Sequence, residues 1–148
     1  MKLFLAKRNY GIICMLFLSL MLIASCITSR RSLPVEEGWD FLGEKKVNFL
    51  RDVDIIEVNS RNSYTDIKFK VEDREVVIND LKIVFDNGDK LEPALDLVIL
   101  ADQFSRNIEL AREGRFIDRI EFKYRTTGNV LQGRANVLIF GRRYNPGY

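Results

Sequence analysis

Residues Thr65 to Val71 alternate without a break: Ile67, Phe69 and Val71 fall on one side, and Asp66, Lys68 and Lys70 on the other. A period of two sets successive side chains on opposite faces of an extended strand and fits no face of a helix. The same rhythm returns at Asp80 to Asp86, where Leu81, Ile83 and Phe85 alternate with Asp80, Lys82, Val84 and Asp86. From Arg115 to Arg125 the expected inward set is Phe116, Ile120, Phe122 and Tyr124, and the outward set includes Arg119, Glu121, Lys123 and Arg125. One wet face and one dry face per strand imply antiparallel sheets packed on a shared core.

Turn signals separate these runs at Asn59 to Ser63, Glu72-Asp73-Arg74, Asn87-Gly88, Arg112-Glu113-Gly114 and Thr127-Gly128-Asn129. Asn87-Gly88 suits a two-residue type I′ hairpin, which needs positive φ at both positions. Strands are therefore expected near 46–51, 53–58, 64–71, 75–86, 90–99, 105–110, 115–126 and 134–142. About eight short strands with tight turns indicate an all-β fold, an antiparallel β-sandwich. One segment admits a second reading. Within 93–114, Leu97, Leu100, Phe104, Ile108 and Ala111 recur at helical spacing, Pro93 suits a first turn and Gly114 a C′ position, and a helix there would make the class α+β. Leu95, Leu97 and Ile99 suit a strand equally well.

Ahead of the β-rich region, Lys2, Lys7 and Arg8 precede an apolar run from Ile12 to Ala24, a secretory leader pattern. As a helix the run would rise roughly 20 Å against a hydrocarbon core of about 30 Å, which suits a signal segment better than a permanent span. Ile23-Ala24-Ser25-Cys26 resembles the lipobox of bacterial lipoproteins. That resemblance implies signal-peptidase recognition through Ile23, Ala24 and Ser25, cleavage after Ser25, a diacylglyceryl thioether on Cys26 and acylation of the new amino terminus. More than one acyl chain is needed for stable attachment, at roughly 0.8 kcal/mol per buried methylene, and such an anchor supplies it. An ordinary signal peptide with an incidental Cys26 is the alternative. Ile27, where an Asp would resemble an inner-membrane retention signal, favours the outer membrane. The expected organisation is a signal peptide over 1–25, a lipidated cysteine and flexible tether over 26–38, and one β-sandwich domain over 39–148.

With the leader removed, the chain carries one more acid than base, so no basic footprint favours nucleic acid. The only other cysteine, Cys14, lies in the leader, and there is no histidine. A disulfide within the domain, a Ser-His-Asp or Cys-His site and a His- or Cys-ligated zinc site are thereby excluded.

Across Trp39 to Tyr144 the chain resembles a group of small secreted bacterial proteins that share a domain of unknown function. The residues that carry this are Trp39-Asp40-Phe41-Leu42-Gly43, Phe85-Asp86-Asn87-Gly88, Ser105 to Leu110, Arg115 to Arg125 and Val137 to Arg142. The resemblance implies an exported all-β domain with a strand around Ser105, and it supplies no catalytic residues.

Candidate chemistry is sparse. Asp52, Asp54 and Asp66 could pair as the acid and base of a glycan hydrolase, or simply lie on solvated strands. Asp86-Asn87-Gly88-Asp89 offers oxygens for calcium but is already accounted for as a hairpin. Arg106, Arg115, Arg119, Arg125 and Arg134 could meet on one face to bind carboxylates, phosphates or sugar hydroxyls, or could pair with Glu109, Asp118 and Glu121 across strands. Arg106, with Phe104, Ile108 and Leu110 around it, is the best single candidate; Arg119 and Arg125 are further possible ligand-binding residues. Trp39, the only tryptophan, is either a stacking platform or an anchor at the domain entrance. No catalytic residue, metal or cofactor is assigned. The expectation is a lipid-anchored bacterial envelope protein whose sandwich is a non-catalytic binding or structural module for an envelope protein or glycan. A glycan hydrolase or an assembly subunit working through an exposed edge strand is the alternative.

Overall fold

In the computed structural model, residues 33, 35–47, 53–126 and 134–146 are described. Ile23, Ala24, Ser25, Cys26 and Asp52 lie outside them, as does most of the expected tether. Nine strands occur among the described residues, all within the unit Val35–Tyr148: β1 (Trp39–Val47), β2 (Val53–Glu57), β3 (Tyr64–Glu72), β4 (Val76–Phe85), β5 (Lys90–Leu91), β6 (Leu97–Ile99), β7 (Ile108–Glu109), β8 (Ile117–Thr126) and β9 (Ala135–Arg143). They form two antiparallel sheets. One runs β1-β9-β3-β7; the other runs β2-β8-β4-β5, with β6 also paired to β4.

The alternating runs become the inner faces of a β-sandwich. Ile67, Phe69 and Val71 from β3 and Val137 and Ile139 from β9 meet Leu81, Ile83 and Phe85 from β4 and Ile120, Phe122 and Tyr124 from β8. Phe69 and Phe122 touch edge to face across the two sheets at 5.9 Å. Burial of so many aliphatic and aromatic side chains, at about 1.5–3 kcal/mol each, is what holds the layers together.

Segment 93–114 contains no helix; it is extended along the sheet edges, which settles the class as all-β. The strand expected over 90–99 is two short pieces on the free side of β4, because Pro93 lacks an N–H and residues 92–96 leave the ladder. Of the strand expected over 46–51, residues 48–51 lie outside the described residues; 46 and 47 close β1, which begins earlier, at Trp39. A bulge between Phe41 and Gly43 breaks the alternation there, so β1 has no period-two signature. A second bulge sets Phe85 opposite Ile117 but Val84 opposite Arg119, which buries Ile117 and leaves Phe116, expected inward, 46% exposed.

The hairpin at Asn87-Gly88 is also not the expected type I′. Only Gly88 has positive φ, at 85°; its N–H donates to the Phe85 carbonyl at 2.9 Å, and the Phe85 N–H donates to the Asp89 carbonyl at 2.9 Å. This is a type I turn closed by a left-handed glycine.

Candidate functional site

The outward face of the four-stranded sheet is built by three strands. Register places Trp39 and Phe41 of β1 opposite Arg142 and Phe140 of β9, and Asp66, Lys68 and Lys70 of β3 opposite Arg142, Phe140 and Leu138. Directly opposed residues stand on the same face. An outward face is normally wet, yet Leu138 and Phe140 are buried here.

The cover over Phe140 is aromatic. Phe41 and Phe104 each meet the Phe140 ring edge to face, at 5.7 and 5.8 Å, and remain 40% and 45% exposed. Phe104 is set by the chain running beside β3: it bridges Lys70, the Ser105 N–H donates to the Phe69 carbonyl at 2.8 Å, and the Phe69 N–H donates to Ser105 Oγ at 2.9 Å. Between the rings stands Lys68, its ammonium 4.0 Å from the Trp39 ring centroid and 4.7 Å from that of Phe104. The same ammonium donates to Glu36 Oε2 at 2.6 Å, and that hydrogen bond holds the Glu36 carboxyl below its ordinary range. Arg142 lies 5.1 Å from the Trp39 ring and 3.6 Å from Asp66 Oδ2, and Lys70 pairs with Glu72 at 3.2 Å. Cation–π contacts with partly desolvated cations fix ring orientation as well as adding attraction.

The outward face of the five-stranded sheet is different in kind. Lys82 pairs with Glu121 at 3.3 Å and Glu92 at 3.7 Å, Lys123 with Asp80 at 3.0 Å, and Arg119 with Glu121 at 2.9 Å and Asp118 at 2.7 Å. A groove of about 220 Å³ lies among Val53, Asp80, Lys82, Glu92, Glu121 and Lys123. Its charges are satisfied by one another, and hydrogen bonds from Arg119 and Lys82 keep the Glu121 carboxyl below its ordinary range. This is a solvated ionic lattice.

The chain belongs to the family described as Domain of unknown function (DUF2541). The family model matches residues 12–141. No curated protein sequence matches it. Two solved structures do, both mutants of the carbohydrate-binding module CBM29-2 from family 29. One, an arginine-to-alanine mutant, is 13% identical with a TM-score of 0.34 over 75% of this chain and 84% of that one. The other, an aspartate-to-alanine mutant, is 13% identical with a TM-score of 0.33 over 71% and 74%.

In this DUF2541 domain the arginines do not converge. Arg119 belongs to the ionic lattice and Arg125 is exposed on β8 of the same sheet, whereas Arg106 is exposed in the segment before β7, at the edge of the other sheet. Arg115 stacks on Phe85 at 3.8 Å and donates to Asn87 Oδ1 and Asp89 Oδ2 at 2.9 and 2.6 Å, so the oxygens offered for calcium are taken up by a guanidinium. Among the described residues no group of three His, Cys, Asp or Glu could hold a metal ion. Asp54 and Asp66 lie in different sheets, paired with Lys45 at 3.5 Å and Arg142 at 3.6 Å. Trp39 is buried against Lys68 and Arg142 on the outward face.

Phe41, Phe140 and Lys68 escape a reading of the sequence. One signal does point to them: Val137-Leu138-Ile139-Phe140 is apolar on both strand faces, which marks a strand covered on both sides.

Proposed function

We propose that this protein is a lipid-anchored bacterial envelope protein, and that its β-sandwich is a non-catalytic binding module whose ligand lies on the outward face of the four-stranded sheet. The observation that carries the reading is the pair of exposed rings, Phe41 and Phe104, both seated on buried Phe140, with Lys68 over Phe104. Exposed aromatics clustered on a rigid scaffold, with polar groups around them, are what recognition surfaces are made of. The lipobox pattern ending at Cys26 supports the anchor and the envelope location.

Presentation, not turnover, is the mechanism. Acyl chains on Cys26 hold the molecule at the outer membrane. The residues between Cys26 and Glu36 reach at most about 35 Å when extended, and the chain enters β1 beside the aromatic face. Asp54 and Asp66 belong to ion pairs and are split between the sheets, which supports a binding role over glycan hydrolysis by that pair. The edge-strand assembly reading is weakened at β1, where the bulge and the Lys45–Asp54 pair at 3.5 Å guard the edge.

Membrane fractionation combined with mild crosslinking in cells tests both halves. Cys26→Ala should release the protein from membranes. The double variant Phe41→Ala/Phe104→Ala should stay in membranes and lose its crosslinked species; crosslinks unchanged in that variant would refute the assignment of the face.

A further inference from the structure

We infer that the ligand of this face is a neutral glycan chain. The inference rests on the binding role proposed above and narrows it to one chemistry.

Every cation that touches the rings already has a carboxylate. Lys68 has Glu36 at 2.6 Å, Lys70 has Glu72 at 3.2 Å, and Arg142 has Asp66 at 3.6 Å. An anionic ligand reaching one of these cations would come up against the carboxylate already beside it, and a cationic ligand reaching a carboxylate would come up against the ammonium or guanidinium group. That like-charge contact works against either. A purely apolar ligand would strip water from the same ion pairs with nothing to replace it.

A neutral sugar chain meets neither obstacle. Its C–H faces pack against aromatic rings, and its hydroxyls both donate and accept. The face offers each in the right place: Phe41 and Phe104 are exposed, and the accessible halves of two ion pairs are an acceptor, the Glu36 side chain at 69% exposure, and a donor, the Arg142 side chain at 46%. Both rings are set in advance by Phe140, and Phe104 by Lys68 as well, so little side-chain order is lost on binding. Because no net charge is recruited, binding should be insensitive to salt.

Affinity electrophoresis of the detergent-solubilised full chain tests this, in native gels containing a soluble neutral glucan, a soluble neutral mannan or, as the anionic counterpart, polygalacturonate, at low and high salt. At least one neutral polymer should retard the protein equally at both salt concentrations. Phe41→Leu/Phe104→Leu, which keeps an apolar cover over Phe140 but removes the rings, should bind at least about tenfold more weakly with an unchanged circular dichroism spectrum, and Arg119→Ala should bind as wild type. Retardation by polygalacturonate alone, or retardation abolished by salt, would overturn the assignment in favour of an anionic ligand. If no neutral polymer retards the chain while crosslinking through Phe41 and Phe104 persists in cells, the glycan assignment fails and the binding face stands. If both fail, so does the face.

Discussion

The Lys68 ammonium lies 4.0 Å from the centroid of the Trp39 ring, joining β3 to the first residue of β1 across the strand between them. Its second contact, with Glu36, ties the segment just ahead of β1 to the same face. Trp39 is the only tryptophan in the chain and therefore reports on this arrangement by its own fluorescence. Lys68→Ala should shift Trp39 emission to the red and raise its quenching by acrylamide. Emission and quenching identical to wild type would mean that Lys68 does not shield the ring.

Asp40 joins three parts of the sandwich. It accepts hydrogen bonds from Arg143, from Asn62 Nδ2 at 2.8 Å and from the Tyr64 hydroxyl at 3.1 Å, and the Arg143 bond above all holds its carboxyl below the ordinary 3.8. Because the folded value is the lower one, the stabilisation is complete above about pH 4 and is lost as pH falls through the depressed folded value. Asp40→Asn should cost about 1–3 kcal/mol at neutral pH and flatten the stability profile on the acid side. Urea denaturation at a series of pH values measures both, and an unchanged acid limb would contradict the account.

Phe122 stands at the centre of the core, against Phe69 across the sheets and Tyr124 along β8. Phe122→Ala should cost about 3–5 kcal/mol, through lost burial and the cavity left behind. A loss under about 1 kcal/mol in denaturant titration would contradict the central position given to this ring.

Two glycines separate backbone strain from crowding. At Gly88, with φ of 85°, an added Cβ meets nothing within 4 Å, so Gly88→Ala should cost only the left-handed backbone penalty of about 1–2 kcal/mol. At Gly43 a Cβ would come within 2.6 Å of Ile56 Cγ2, and Gly43→Ala should disturb the packing of β1 on β2. Gly43→Ala is expected to be rescued in part by Ile56→Ala, which removes Cγ2, and Gly88→Ala is not; thermal unfolding of the single and double variants checks this.

The class of the fold is legible wherever one strand face is wet. Ile67, Phe69 and Val71, and Ile120, Phe122 and Tyr124, alternate with charges, and they are the core. Bulges hide the rest: the one after Phe41 erases the pattern of β1, and the one beside Ile117 turns Phe116 outward. The candidate site is less legible than the fold for a further reason. Phe41, Phe104 and Phe140 come from distant parts of the chain, and only the order β1-β9-β3-β7 brings their rings together. Arginines attract attention because a guanidinium is a versatile ligand, but Arg115 and Arg119 are taken up by the hairpin and the ionic lattice.

Site-specific photocrosslinking tests the aromatic face as the recognition surface most directly. The photoreactive amino acid p-benzoylphenylalanine would replace Phe41, Phe104 or, on the opposite sheet, the 58% exposed Val98, in protein anchored in living cells. Crosslinks to an envelope component from positions 41 and 104, and none from 98, are the predicted result. Equal crosslinking from all three positions, or crosslinking from 98 alone, would contradict it.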